Sequence, residues 1–153
     1  MKKIILTLFQ VLVVSACTSD EGKLKQLAID SATQQFKSEL KEEISKGVSE
    51  KLNLQATAVD IVTKRTEFEV LKSEVRGKDA DVEVQAKTIP VKVKTSLIEI
   101  IARLDSRKER NLNVSDAIDL ISQQMGISSD ERATLVYRFK FKNKGSWQKQ
   151  EPP

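Results

Sequence analysis

The chain has 153 residues, with 26 Lys and Arg against 22 Asp and Glu, no histidine and a single cysteine. Without histidine, Ser-His and Cys-His nucleophilic arrangements are excluded, and so is a histidine–thiol set for a transition metal. A net charge of +4 at this length gives little support for a nucleic-acid partner, which wants a clustered basic face.

Lys2 and Lys3 open the chain, and Ile4 to Val14 is an apolar run of 11 residues broken only by Thr7 and Gln10. Small residues follow at Ser15 and Ala16. A charged start, a short apolar stretch and small residues before a cut make a secretory signal peptide. The run is too short for a transmembrane span, which needs about 20 apolar residues. It also lacks the polar face of a surface helix. Removing residues 1–16 leaves 137, and Lys2 and Lys3 leave with them. The remainder holds 24 basic against 22 acidic residues, a net charge of +2.

The stretch Val14-Ser15-Ala16-Cys17 resembles the bacterial lipobox: an aliphatic residue, two small ones, then cysteine. The resemblance implies a bacterial lipoprotein. A diacylglycerol would sit on the Cys17 sulfur, and lipoprotein signal peptidase would cut between Ala16 and Cys17. A further acyl chain such as palmitate would cap the new N-terminus. Two or more acyl chains anchor stably where one is marginal. Thr18 stands where inner-membrane lipoproteins of enteric bacteria tend to carry aspartate, so the outer membrane is favoured, with the domain facing the periplasm. An ordinary signal peptide cut after Ala16 would instead leave Cys17 free.

Residues 17–23 read as a lipidated polar tether that reaches about 20 Å when extended. Residues 24–52 read as one long helix, or two joined near Gly47. Ala28, Ala32, Phe36, Leu40, Ile44, Val48 and Leu52 recur every fourth residue, with Leu24 and Leu27 extending the face. Each four-residue step turns about 40° past a full circle, so this stripe fits a twisted surface better than a flat one. Within 57–75, Phe68 and Val70 alternate with Glu67, Glu69 and Leu71 as a strand. Arg76-Gly77-Lys78-Asp79 supplies a hairpin turn, and Val82, Val84 and Ala86 form one buried face of the returning strand. The apolar phase flips to Ile89, Val91 and Val93, with Pro90 marking a bulge or bend. Ser96 to Glu99 has capping-box spacing for a helix carrying Leu97, Ile100, Ile101 and Leu104. A second helix carries Val114, Ala117, Ile118, Ile121 and Met125, capped by Asn113 or Ser115 and stopped by Gly126. Asn113-Val114-Ser115 matches a glycosylation pattern, but a helix start explains it better. Ser128 to Glu131 suits a further turn. Ala133, Leu135, Tyr137, Phe139 and Phe141 then alternate with polar residues in a long strand. Asn143 to Gly145 turn it, and Trp147 begins a return before a tail at 149–153.

These elements predict one α+β domain over residues 24–148. A long N-terminal helix packs on a bent antiparallel sheet, with a helical insertion before the final strands. "VRGKDADVEVQ" and "YRFKFKNKGSWQ" resemble strands of cystatin-like domains, in particular nuclear transport factor two-like domains. That resemblance implies a cone-shaped sheet around a helix. Residues 95–132 depart from it by inserting about two helices. Phe68, Tyr137, Phe139, Phe141 and Trp147 would line the cone as a pocket, or form the core.

The expected function is that of a non-catalytic binding or assembly module. It would hold the membrane through acylated Cys17 and an envelope protein through its folded domain, with no cofactor, metal or nucleic acid. The alternative is a carrier or sensor of a small apolar ligand. Catalysis would require Asp60, Glu67 or Glu69 to be buried with a raised pKa.

Overall fold

A computed structural model describes residues 19–46, 53–107 and 111–151. Ala16, Cys17, the apolar run before them and the joint near Gly47 lie outside the described residues.

Helix α1 spans Asp20–Ser45. The Ser19 hydroxyl accepts a hydrogen bond from the Gly22 amide at 3.1 Å, and Asp20 and Glu21 occupy the first turn. A capping side chain followed by acids at the positive helix end favours initiation here. Residues 20–23, expected to be extended, are therefore the first turn of α1. Leu24, Ala28, Ala32, Phe36, Leu40 and Ile44 are all buried. Because the stripe drifts around the helix axis, its partners change along its length. α1 lies against α2 (Asn53–Lys64) and against strands β1 (Glu67–Arg76), β2 (Asp79–Thr88) and β4 (Trp147–Lys149). Phe36 meets Phe68 edge to face at 5.8 Å.

Helix α2 occupies the stretch before β1, where the sequence reading assigned no element. Val59, Ile61, Val62 and Thr63 have β-branched side chains, yet Leu54, Ala58 and Val62 are buried at four-residue spacing. Packing of that stripe outweighs the weak local propensity. The Thr66 hydroxyl donates to the Val62 carbonyl at 2.8 Å and lies 2.9 Å from the Thr88 hydroxyl. This pairing satisfies buried polar groups where α2 hands over to the sheet.

The sheet is antiparallel in the order β1-β2-β3-β4, with β3 at Ala133–Asn143. Gly77 turns the first hairpin at φ +65°, a conformation natural to glycine. The register slips between Val70 and Lys72, so Leu71 leaves the ladder, and Ser73 and Val75 then oppose Val82 and Ala80. The inner face buries Ala80, Val82, Val84 and Ala86 beside Tyr137, Phe139 and Phe141.

Ile89, Val91 and Val93 do not continue β2. The strand ends at Thr88, and helix α3 spans Val91–Ser106. The Pro90 carbonyl accepts from the Lys94 amide at 3.0 Å. A proline cannot donate to a ladder but is tolerated at a helix start. Val93, Leu97 and Ile101 make the buried face. Ser96 to Glu99 thus lies inside α3 rather than capping it. Helix α4 spans Val114–Gln124 and is capped as expected: Asn113 Oδ1 accepts from the amides of Ser115 and Asp116 at 3.1 and 3.3 Å. Gly126 stops it at φ +64°. Ser128 to Glu131 form a turn, closed by the Glu131 amide on the Ser128 carbonyl at 3.1 Å. The sheet runs past residue 148, since Lys149 belongs to β4 and the Gln150 amide donates to the Lys140 carbonyl at 2.8 Å. No described helix is long and apolar enough to cross a membrane.

Two substitutions test this core. Phe36→Ala should cost about 3–5 kcal/mol in urea denaturation, because a buried ring leaves a cavity against Phe68. Among the described residues the buried Ser73 hydroxyl has no hydrogen-bond partner. Ser73→Ala should therefore be neutral, or raise stability by up to about 1 kcal/mol.

Candidate binding groove

The corner after α2 sends Arg65 toward α4. Its guanidinium donates to both carboxylate oxygens of Asp119, at 2.6 and 3.0 Å, and to the Ser115 hydroxyl at 2.6 Å. A bidentate fork of this kind fixes geometry as well as charge. The Arg65 hydrogen bond holds the Asp119 carboxyl below its ordinary range, and Asp119 in turn raises the Arg65 pKa. The bond joins the α2–β1 corner to a helix more than fifty residues later in the chain.

Beside this pair the β2–α3 and α4–β3 connections meet and leave two adjoining depressions. One, of about 470 Å³, is lined by Arg65, Ile89, Pro90, Ile118, Asp119 and Arg132 among others. The next, of about 660 Å³, is lined by residues including Val91, Lys92, Met125 and Gly126. Pro90, Ile127 and Glu131 border both. Val91 is 61% exposed and Met125 44%. Large apolar side chains left in water at the rim of a polar-edged groove are a feature of interaction sites. Arg132 donates to the backbone carbonyls of Ser129 and Glu131, which holds its side chain along the groove's edge. The groove combines apolar walls with charges of both signs. It suits a protein segment carrying an apolar anchor and flanking polar groups.

The aromatic residues singled out in the sequence lie elsewhere. Tyr137, Phe139 and Phe141 are buried on the inner face of β3, with successive ring centroids 6.4 and 6.2 Å apart. Phe68 and Trp147 are half-buried and pack against the same core. Phe68 meets Phe36 of α1, Tyr137 bonds its Glu39, and all five belong to the one core. The Tyr137 hydroxyl donates to Glu39 at 3.0 Å; burial first, and this carboxylate second, push its pKa far up. Lys149 lies over the Phe139 ring at 4.8 Å. Trp147 Nε1 is buried and finds no acceptor among the described residues. Asp60, Glu67 and Glu69 are exposed, with Asp60 paired to Lys64 at 2.7 Å. Cys17 and Ala16 lie outside the described residues. Among the described residues, no three His, Cys, Asp or Glu side chains are grouped to hold a metal ion.

Sequence reading did not single out Arg65, Asp119 or Met125 as site residues, and treated Pro90 only as a bend. No local spacing announces a pair that forms only when α2 and α4 pack together.

The Arg65–Asp119 pair has a pH signature. A depressed carboxylate pKa adds stability above its unfolded value, and that stability is lost as pH falls through the folded value. The Asp119 side chain is largely exposed, so screening limits the effect to less than about 1 kcal/mol. Asp119→Asn should melt slightly below the wild type at neutral pH. The two melting curves should converge once pH drops below the lowered Asp119 pKa.

No protein-family model matches the chain, and no curated protein or solved structure is significantly similar to it.

Proposed function

We propose that the chain is a lipid-anchored protein of the bacterial cell envelope that works by holding another envelope protein in the groove around Pro90. The observation that carries binding is the pair of exposed apolar side chains, Val91 and Met125, set beside a groove with charges of both signs. The anchor reading rests on Val14-Ser15-Ala16-Cys17 after a charged and apolar leader. The Ser19 cap supports a close attachment. A lipid on Cys17 would be three residues from the start of α1, so the domain would ride near the membrane surface instead of searching outward on a linker. The outer membrane, with the domain facing the periplasm, is the favoured location.

The test uses intact cells and two variants. Wild-type chain should stay with membranes through a high-salt wash, whereas Cys17→Ser should move to the soluble fraction. Membrane retention of Cys17→Ser would place the anchor elsewhere. A photo-cross-linker at position 91 should give one discrete protein adduct that Met125→Glu removes. No adduct, together with saturable uptake of an apolar small molecule by the purified chain, would favour the carrier reading instead.

A further inference from the structure

The sheet has two edges, and they are built differently. Strand β1 carries devices that discourage a further strand: the register slip at Val70–Lys72, then Lys72, Glu74 and Arg76 in sequence. The opposite edge is only partly closed. β4 pairs with Phe141, Lys142 and Asn143, and the Gln150 amide reaches Lys140. No described strand lies beside Ala133 to Phe139 on that side.

Two hydrogen bonds fix which backbone groups face this gap. The Asn143 amide points back to the Lys78 carbonyl on the β2 side at 2.7 Å, whereas the Lys140 carbonyl points outward to Gln150. Backbone direction alternates along a strand. Thr134, Val136 and Arg138 therefore hold their N–H and C=O groups toward the open edge. The side chains around them are wet and apolar: Leu135 is 38% exposed and Val136 47%. No register slip or proline interrupts the stretch.

We propose that this edge pairs with the same edge of a second copy, antiparallel about a twofold axis at Val136, joining two four-stranded sheets into one. The register follows from the window itself. Centred on Val136, it sets Thr134 opposite Arg138 of the other copy and Leu135 opposite Tyr137, and all three outward residues find partners. A centre one residue later would bring Thr134 against Lys140, whose carbonyl already holds Gln150. A centre at Arg138 would set two guanidinium groups face to face. Within Thr134 to Arg138 the chosen register sets no like charges directly opposite, and the two Val136 side chains meet on the outer face. Arg138 keeps its 2.9 Å bond to Glu83 on its own sheet. The pairing is isologous, as closed dimers require, and it needs neither the lipid on Cys17 nor the groove.

Sedimentation of the full chain in density-matched detergent, over a concentration series, tests this. A monomer–dimer equilibrium is expected, with the Val136 and Arg138 amides gaining hydrogen-exchange protection as the dimer fills. Val136→Lys sets two ammonium groups opposite each other and should weaken dimerisation roughly tenfold or more. Val136→Pro removes an outward N–H without touching the β2 ladder, and should also weaken dimerisation. Circular dichroism should show both variants folded; if the proline variant unfolds, the lysine variant alone decides. A wild-type chain that stays monomeric throughout overturns the proposal. So does a dimer that both folded variants leave unchanged, and an edge kept for another protein's strand would give the monomer result.

Discussion

Six side chains on one helix, spaced four apart and all withdrawn from water, set the arrangement of the remaining elements. The spacing is longer than the 3.6-residue turn, so the apolar stripe winds slowly around α1. No single flat surface can cover such a stripe. The fold answers with several partners: α2 on one side and strands of the sheet on another. Phe36, the largest residue of the stripe, meets Phe68, while Glu39 and Glu43 at its border bond Tyr137 and Lys94. The helix is clamped by elements far apart in sequence.

That clamp explains why one face of the sheet serves as core. Phe68 and Tyr137 meet residues of α1 directly, and Phe139, Phe141 and Trp147 join the same core. Burying large rings supplies much of the apolar area that a domain of this size can gather. The groove arises where the clamp ends. α3 and α4, inserted between β2 and β3, cover their own apolar faces but leave their junction with the sheet imperfectly filled. Arg65 holds that junction through Asp119 and Ser115, and Val91 and Met125 remain in water beside it. The open β3 edge has a related origin. β4 is only three residues long, so it covers one end of a strand of eleven.

Much of this was written locally. The hairpin at Gly77, the Asn113 cap, the stop at Gly126 and the alternating strand from Ala133 depend on neighbours in sequence, and each forms where spacing placed it. The failures also have local causes. Pro90 sits between two apolar phases and reads as a bend in a strand, yet it begins a helix. Val91 and Val93 have the side chains of a strand, but Val93, Leu97 and Ile101 bury together at helical spacing. The β-branched side chains within residues 59–63 give no local helix signal, and the sequence reading left α2 without an element.

By itself the sequence determined the α+β class, the long first helix and most turns, and its lipobox-like head carries the proposal of an envelope lipoprotein. Those follow from side-chain period, capping chemistry and glycine conformations, which act over a few residues. Tertiary structure alone decided that the aromatic residues pack as core, that Arg65 finds Asp119, and that no described strand lies beside Thr134 to Arg138. Each depends on which distant elements come together and how far each extends. Neither period nor propensity along one stretch of chain encodes that.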